Sequence, residues 1–336
     1  MLQANGRAKY IQMKSNSNSK RKHFIYRLSL PLILSTFAGF SCFSPIIEPA
    51  LGKPQFFGVK AKEDPSEKLL DSGRKLFLSG QFQPACEVFR QAVEKNPESG
   101  ANHFEYARTL ARLGNEDKAV SEFLEALNHD PGLIDARKEM AAIFMKRGSF
   151  DEAGGQLKQV VDAQPGDLVS RGNLGICMQK IGLLDQAIEQ LRVVQQKEPS
   201  SVEALFNLGA ALREKGEIDE AKEKFAQILL LKPKPDDAKL SLTYLELGRC
   251  LLQKNDANNI RSAVALEKLA IKCLPSNHWA YLTLGEALEK EGKETEALEA
   301  FRQAIQINPK APETRAALER LLNGKAAKQR QKLTVR

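Results

Sequence analysis

Seven prolines set the frame of this chain. Pro97, Pro131, Pro165, Pro199 and Pro233 recur every 34 residues, and Pro275 and Pro309 stand 34 apart after one longer step of 42. A fixed period of this length marks a chain of repeated supersecondary units, none of which can bury its apolar face alone. Other residues keep the beat. With each proline counted as position 32, position 20 is alanine in every unit: Ala85, Ala119, Ala153, Ala187, Ala221, Ala263 and Ala297. Position 15 is glycine in all but the sixth: Gly80, Gly114, Gly148, Gly182, Gly216 and Gly292. Position 24 is Phe89, Phe123, Leu157, Leu191, Phe225 and Phe301, but Glu267 in the sixth unit. Leu-Gly pairs at positions 7 and 8 (Leu174-Gly175, Leu208-Gly209, Leu284-Gly285) have a shifted counterpart in Leu247-Gly248.

The spacing predicts a helical hairpin per unit. Apolar residues at positions 4, 7 and 11 form one helical stripe, and those at 20, 24 and 27 form a second. Glycine at 15 ends the first helix, where a left-handed residue is needed. Small residues at 8 and 20 let the two helices approach closely. Proline at 32 stops the second helix, because it has no amide hydrogen and clashes with the preceding turn.

This pattern resembles the tetratricopeptide repeat family. The resemblance spans seven units, at residues 66–99, 100–133, 134–167, 168–201, 202–235, 241–277 and 278–311. It implies an all-α, right-handed superhelical solenoid. The family's usual Trp at position 4 is replaced by Leu69, His103, Arg137, Arg171, Leu205, Tyr244 and Tyr281. In the sixth unit the first helix, Ser241–Lys254, starts five residues late, and the turn Asn255–Asn259 is lengthened. A surface-loop insertion, which lengthens a loop at little cost, is one reading. A break in pitch between a five-repeat and a two-repeat block is the other. Residues 312–322 are expected to form a capping helix, since an open end would expose an apolar flank. A basic tail, 323–336, follows.

The charge is uneven. Residues 1–52 hold seven Lys/Arg and one acid, and residues 323–336 hold five Lys/Arg and none, so the stretch between carries −3 of the chain's +8. A near-neutral body lacks the phosphate-neutralising surface that nucleic-acid binding requires. At the start, basic residues from Arg7 to Arg27 precede an apolar run, Leu28 to Ile47, and Ala50-Leu51-Gly52 fits a small-residue cleavage site. This reads as an export signal, better proportioned if translation starts at Met13. An uncleaved membrane anchor over 28–47 and a lipidated Cys42 remain alternatives. Residues 53–65 read as a linker.

No catalytic or nucleotide-binding motif occurs, and the carboxylates fall on polar helix faces. Neither a cofactor nor a metal is expected. The cysteines, Cys42, Cys86, Cys177, Cys250 and Cys273, have no metal or redox spacing and read as small buried residues. The expected function is a non-enzymatic scaffold that binds segments or helices of partner proteins and is exported to the cell envelope, in the periplasm or outside the cell. A membrane-tethered subunit of a secretion, pilus or outer-membrane assembly machine is the alternative.

The family resemblance also implies where a partner lies. First helices line a concave groove, mainly through positions 2, 5, 6, 9, 12 and 13. Position 5 reads Leu70, Phe104, Lys138, Gly172, Phe206, Leu245 and Leu282. At position 6, Asn173 and Asn207 stand in adjacent units, and some relatives hold a peptide backbone with such a pair. An amide side chain both donates and accepts. Phe206 offers an apolar wall and Arg213 a charge. A second candidate patch joins Phe104 with Arg74 and Arg108, although Asp71 and Glu105 could pair with these arginines. The Lys and Asn set by which some relatives grip a terminal carboxylate is missing.

Overall fold

The computed structural model describes residues 66–254 and 256–334. The leader, the apolar run 28–47, Cys42 and the linker 53–65 lie outside them. Among the described residues no helix is long and apolar enough to cross a membrane.

Among the described residues, fourteen helices pair into seven antiparallel hairpins. They are α1 (Glu67–Leu78) with α2 (Phe82–Lys95), α3 (Gly100–Arg112) with α4 (Glu116–His129), α5 (Ile134–Arg147) with α6 (Phe150–Ala163), and α7 (Leu168–Lys180) with α8 (Leu184–Lys197). Then come α9 (Val202–Lys215) with α10 (Ile218–Leu230), α11 (Asp237–Lys254) with α12 (Ala257–Cys273), and α13 (His278–Lys290) with α14 (Glu294–Ile307). A last helix, α15 (Pro312–Thr334), packs on α14. Each hairpin touches only its neighbours, which makes a solenoid.

The repeat positions act as their chemistry requires. Gly148 and Gly216 close α5 and α9 in the left-handed region, at φ 78° and 94°. The position-20 alanines and position-24 aromatics are fully buried, with Phe89, Phe123, Phe225 and Phe301 at 0% exposure. Position 8 faces position 24 across each hairpin. A methyl group built on Gly285 would lie 2.4 Å from Phe301 Cε1, and one on Gly175 would lie 2.7 Å from Leu191 Cγ. Only a hydrogen fits there, so these glycines set the interhelical distance.

The polar residues at position 4 have a structural task. His103 places its ring nitrogens 2.9 Å from the Pro97 carbonyl and 2.7 Å from a Glu122 carboxylate oxygen. Arg171 donates to the Pro165 carbonyl at 3.1 Å and to Gln190 at 2.7 Å, and Arg137 makes the matching pair with Pro131 and Gln156. In these hairpins a side chain ties the proline stop of one unit to the second helix of the next. Arg315 donates to the Pro309 carbonyl in the same way, so α15 occupies the place of an eighth first helix.

The sixth hairpin departs from the loop reading. Its extra residues lie mostly in helix: α11 has 18 residues and α12 has 17, against 12 to 14 in the other hairpins. Two aspartates explain the early starts. Asp236 accepts from the Lys239 amide at 2.8 Å, and Asp256 accepts from the amides of Asn258 and Asn259 at 3.0 and 2.9 Å, satisfying first-turn donors. The final helix also exceeds its expected end, running to Thr334 through residues 323–334. The Ala, Lys, Gln and Arg residues after Gly324 are good helix formers that outweigh one glycine.

The sixth hairpin also holds the main exception in the core. Glu267, at position 24 of α12, is fully buried, and neither carboxylate oxygen has a hydrogen-bond partner. It lies against Gly248, where an added methyl would come within 2.1 Å of Oε1. Burial holds its carboxyl well above the usual range; Arg249 opposes that shift and Glu246 and Glu286 add to it.

Candidate binding groove

First helices neighbour one another along the array, α7 beside α9 and α11 beside α13. The candidate side chains on their exposed faces fall into three places.

At the N-terminal end, Arg74, Phe104 and Arg108 do come together, around Glu105. Arg74 Nε lies 2.8 Å from one carboxylate oxygen and Arg108 lies 2.7 Å from the other. The Glu105 side chain is 6% exposed, so two cations compensate one buried anion. The Arg108 guanidinium stacks over Phe77, 4.3 Å from the ring centroid, and stands 5.7 Å from that of Phe104. Both arginines are therefore engaged by the protein itself.

The same device recurs further along. Arg213 lies 2.7 Å from Glu246, and Arg249 lies 2.9 Å from the other oxygen of that carboxylate. Arg249 also stands 5.5 Å from the Trp279 ring. Arg213 thus bridges the fifth hairpin to the sixth. Phe206 packs edge-on against Phe225, with ring centroids 5.6 Å apart, and forms part of the core margin.

Between these braces lies a cavity of about 390 Å³ on α7 and α9. Asn173 and Asn207 both line it; Phe206 and Arg213 do not. Its floor is Ile176, Leu191, Val194 and Ala204. Leu191 and Val194 belong to the second helix α8 and are otherwise buried, at 0% and 6% exposure. They lie beneath the hollow, which is open above them because position 5 of this unit is Gly172, with nothing within 4 Å of where a side chain would begin. On the rim, Val169 is 76% exposed. Neither asparagine amide has a hydrogen-bond partner among the described residues. Free amides beside an apolar floor can bond an extended backbone while a side chain enters the hollow.

The glycine was visible in the position-5 series, where the other units carry a larger residue, but its link to α8 needed the packing. The pairing of Glu105 with the arginines is open in the sequence, whereas Glu246 as a hub becomes apparent only once neighbouring hairpins are stacked.

Among the described residues, no group of His, Cys, Asp and Glu is placed to hold a metal ion. Burial pushes the Cys177 thiol up to about 11 and the Cys250 thiol up to about 12, which makes them core residues without thiolate character at neutral pH. His103, held by the contacts described above, stacks on the ring of His129, with centroids 5.6 Å apart.

The family comparisons agree with this architecture. Two family models described as tetratricopeptide repeat match, one at residues 76–143 and 144–212 and one at 202–235 and 278–311. Together they cover more than half of the chain and leave out the elongated sixth hairpin. A tetratricopeptide repeat protein from Parabacteroides merdae is similar with a TM-score of 0.59 at 15% identity, over 76% of this chain and 98% of that one. The C-terminal part of a repeat-containing protein from Cytophaga hutchinsonii gives 0.55 at 19%, over 74% and 99%. The Cut9–Hcn1 hetero-tetramer of the APC/C gives 0.54 at 15%, over 79% and 57%. No curated protein matches the chain.

Proposed function

From the premise that the chain belongs to the tetratricopeptide repeat family, a family of non-catalytic protein-interaction scaffolds, we propose that it grips an extended segment of a partner protein at its fourth and fifth hairpins. One observation carries the reading: two unpartnered asparagine amides flank an apolar hollow on the first-helix face. The arginine clusters on either side brace the array, since each arginine is already paired with a carboxylate of the chain itself. The similar Cut9–Hcn1 structure is a hetero-tetramer, which fits a fold that works through protein partners.

The proposal includes export to the cell envelope, supported by the basic start and the apolar run 28–47. Replacing Asn173 and Asn207 together by Ala is expected to abolish recovery of the bound partner in a crosslinking pull-down from envelope fractions. Recovery equal to that of the unaltered chain would remove these residues from the site. N-terminal sequencing of the recovered protein tests the export proposal: a start near Lys53 supports a cleaved signal, an intact 28–47 segment supports a tether, and absence from the envelope contradicts export.

A further inference from the structure

The hollow at Gly172 differs from the rest of the groove in a way that defines what can occupy it. Every other hairpin fills position 5 with a larger side chain: Leu70, Phe104, Lys138, Phe206, Leu245 or Leu282. Gly172 alone leaves the backbone of α7 bare there, so the hollow stands open above the buried Leu191 and Val194. About 390 Å³ is near the lower end of the range for ligand sites, suited to one large side chain with its adjoining backbone. The floor offers only apolar groups, so a polar side chain would lose its water there without a partner.

The rim carries a charge of one sign. Glu198 lines the cavity, and its carboxylate has no partner among the described residues. Glu203, also on the rim, is already matched by Lys239. Lys138, the position-5 cation of the preceding hairpin, is held by Asp167 at 2.7 Å. The uncompensated charge beside the hollow is therefore negative, and it favours a cation next to the buried group.

We infer that this site selects an extended segment presenting a bulky apolar side chain with a lysine or arginine close beside it. The apolar group enters over Gly172, the cation faces Glu198, and Asn173 and Asn207 hold the backbone between them. This inference deepens the proposed function and rests on it.

The test is selection of peptides from a random display library on the purified full chain. Binding is then measured for the full-length Gly172→Leu, Glu198→Lys and Asn173→Ala/Asn207→Ala variants, with folding checked by circular dichroism. Leucine at 172 fills the hollow and raises helix propensity, so the variant should fold. The unaltered chain should enrich peptides with the apolar-plus-basic pair. Gly172→Leu should bind them about tenfold to thirtyfold more weakly. Glu198→Lys should lose the preference for the cation, and the asparagine variant should weaken all selected peptides alike. If Gly172→Leu and Glu198→Lys bind the same peptides unchanged while the asparagine variant does not, the specificity inference fails and the groove reading stands. If no variant changes binding, or no peptide is enriched, both fail.

Discussion

Replacing Glu267 by Leu is expected to stabilise the array by about 2–3 kcal/mol at neutral pH, the scale of relieving a buried polar group that lacks partners. The residue is fully buried, both its oxygens are unpartnered, and it occupies a position that is Phe or Leu in every other hairpin. Leucine suits the site because Leu191 already packs over Gly175 in the fourth hairpin, as residue 267 packs over Gly248. The effect depends on pH in a definite direction. Burial raises the folded-state carboxyl well above its ordinary value of 4.5. The contribution of this group is therefore fully present below the carboxylate range and declines as pH rises toward the folded value, because the unfolded chain has already released the proton. Urea unfolding followed by the fluorescence of Trp279, the only tryptophan, reports on the adjoining hairpin. Between about pH 5 and about pH 8 the gap between the Leu variant and the unaltered chain should widen, and Glu267→Gln should remove the pH-dependent part of it. A gap that stays constant with pH would mean that this carboxyl is not protonated in the fold.

The second large effect separates two glycines. Gly285→Ala should destabilise the chain by about 1–3 kcal/mol, because the new methyl would stand 2.4 Å from Cε1 and 2.6 Å from Cδ1 of the fully buried Phe301 ring. The ring cannot retreat without shifting the hairpin. Gly172→Ala should instead stabilise by up to about 1 kcal/mol, since helix propensity improves and nothing lies within 4 Å. Both glycines lie within first helices, so propensity alone predicts the same sign for both. Paired urea titrations decide it. Two stabilised variants would contradict the close approach in the seventh hairpin, and two destabilised ones would contradict the open hollow.

These contrasts explain what the sequence reveals and what it hides. The hairpins are legible because each proline, glycine and alanine acts within its own unit, through amide loss, left-handed geometry or small size. The asparagine pair is legible because its spacing equals the period. Features that depend on neighbouring units are less visible. For Arg74 and Arg108 the sequence offers both Asp71 and Glu105 as partners and stacking selects Glu105, while Arg213 reads as a groove charge until stacking brings Glu246 beside it. The longer proline step suggests a loop, while Asp236 and Asp256 cap earlier helix starts. The polar substitutes at position 4 have no partner until Pro97, Pro131 and Pro165 of the preceding units are placed beside them.

Docking of a partner on the first-helix face at the fourth and fifth hairpins is read by placing a photoreactive phenylalanine analogue at Val169, on the rim of the hollow, and in a second chain at Leu124 on α4, a second helix. Both positions are exposed, at 76% and 51%, so either can report a contact. Irradiation should yield a partner adduct from position 169 and none from 124. Adducts from 124 alone, or equally from both, would place the partner elsewhere than in the groove.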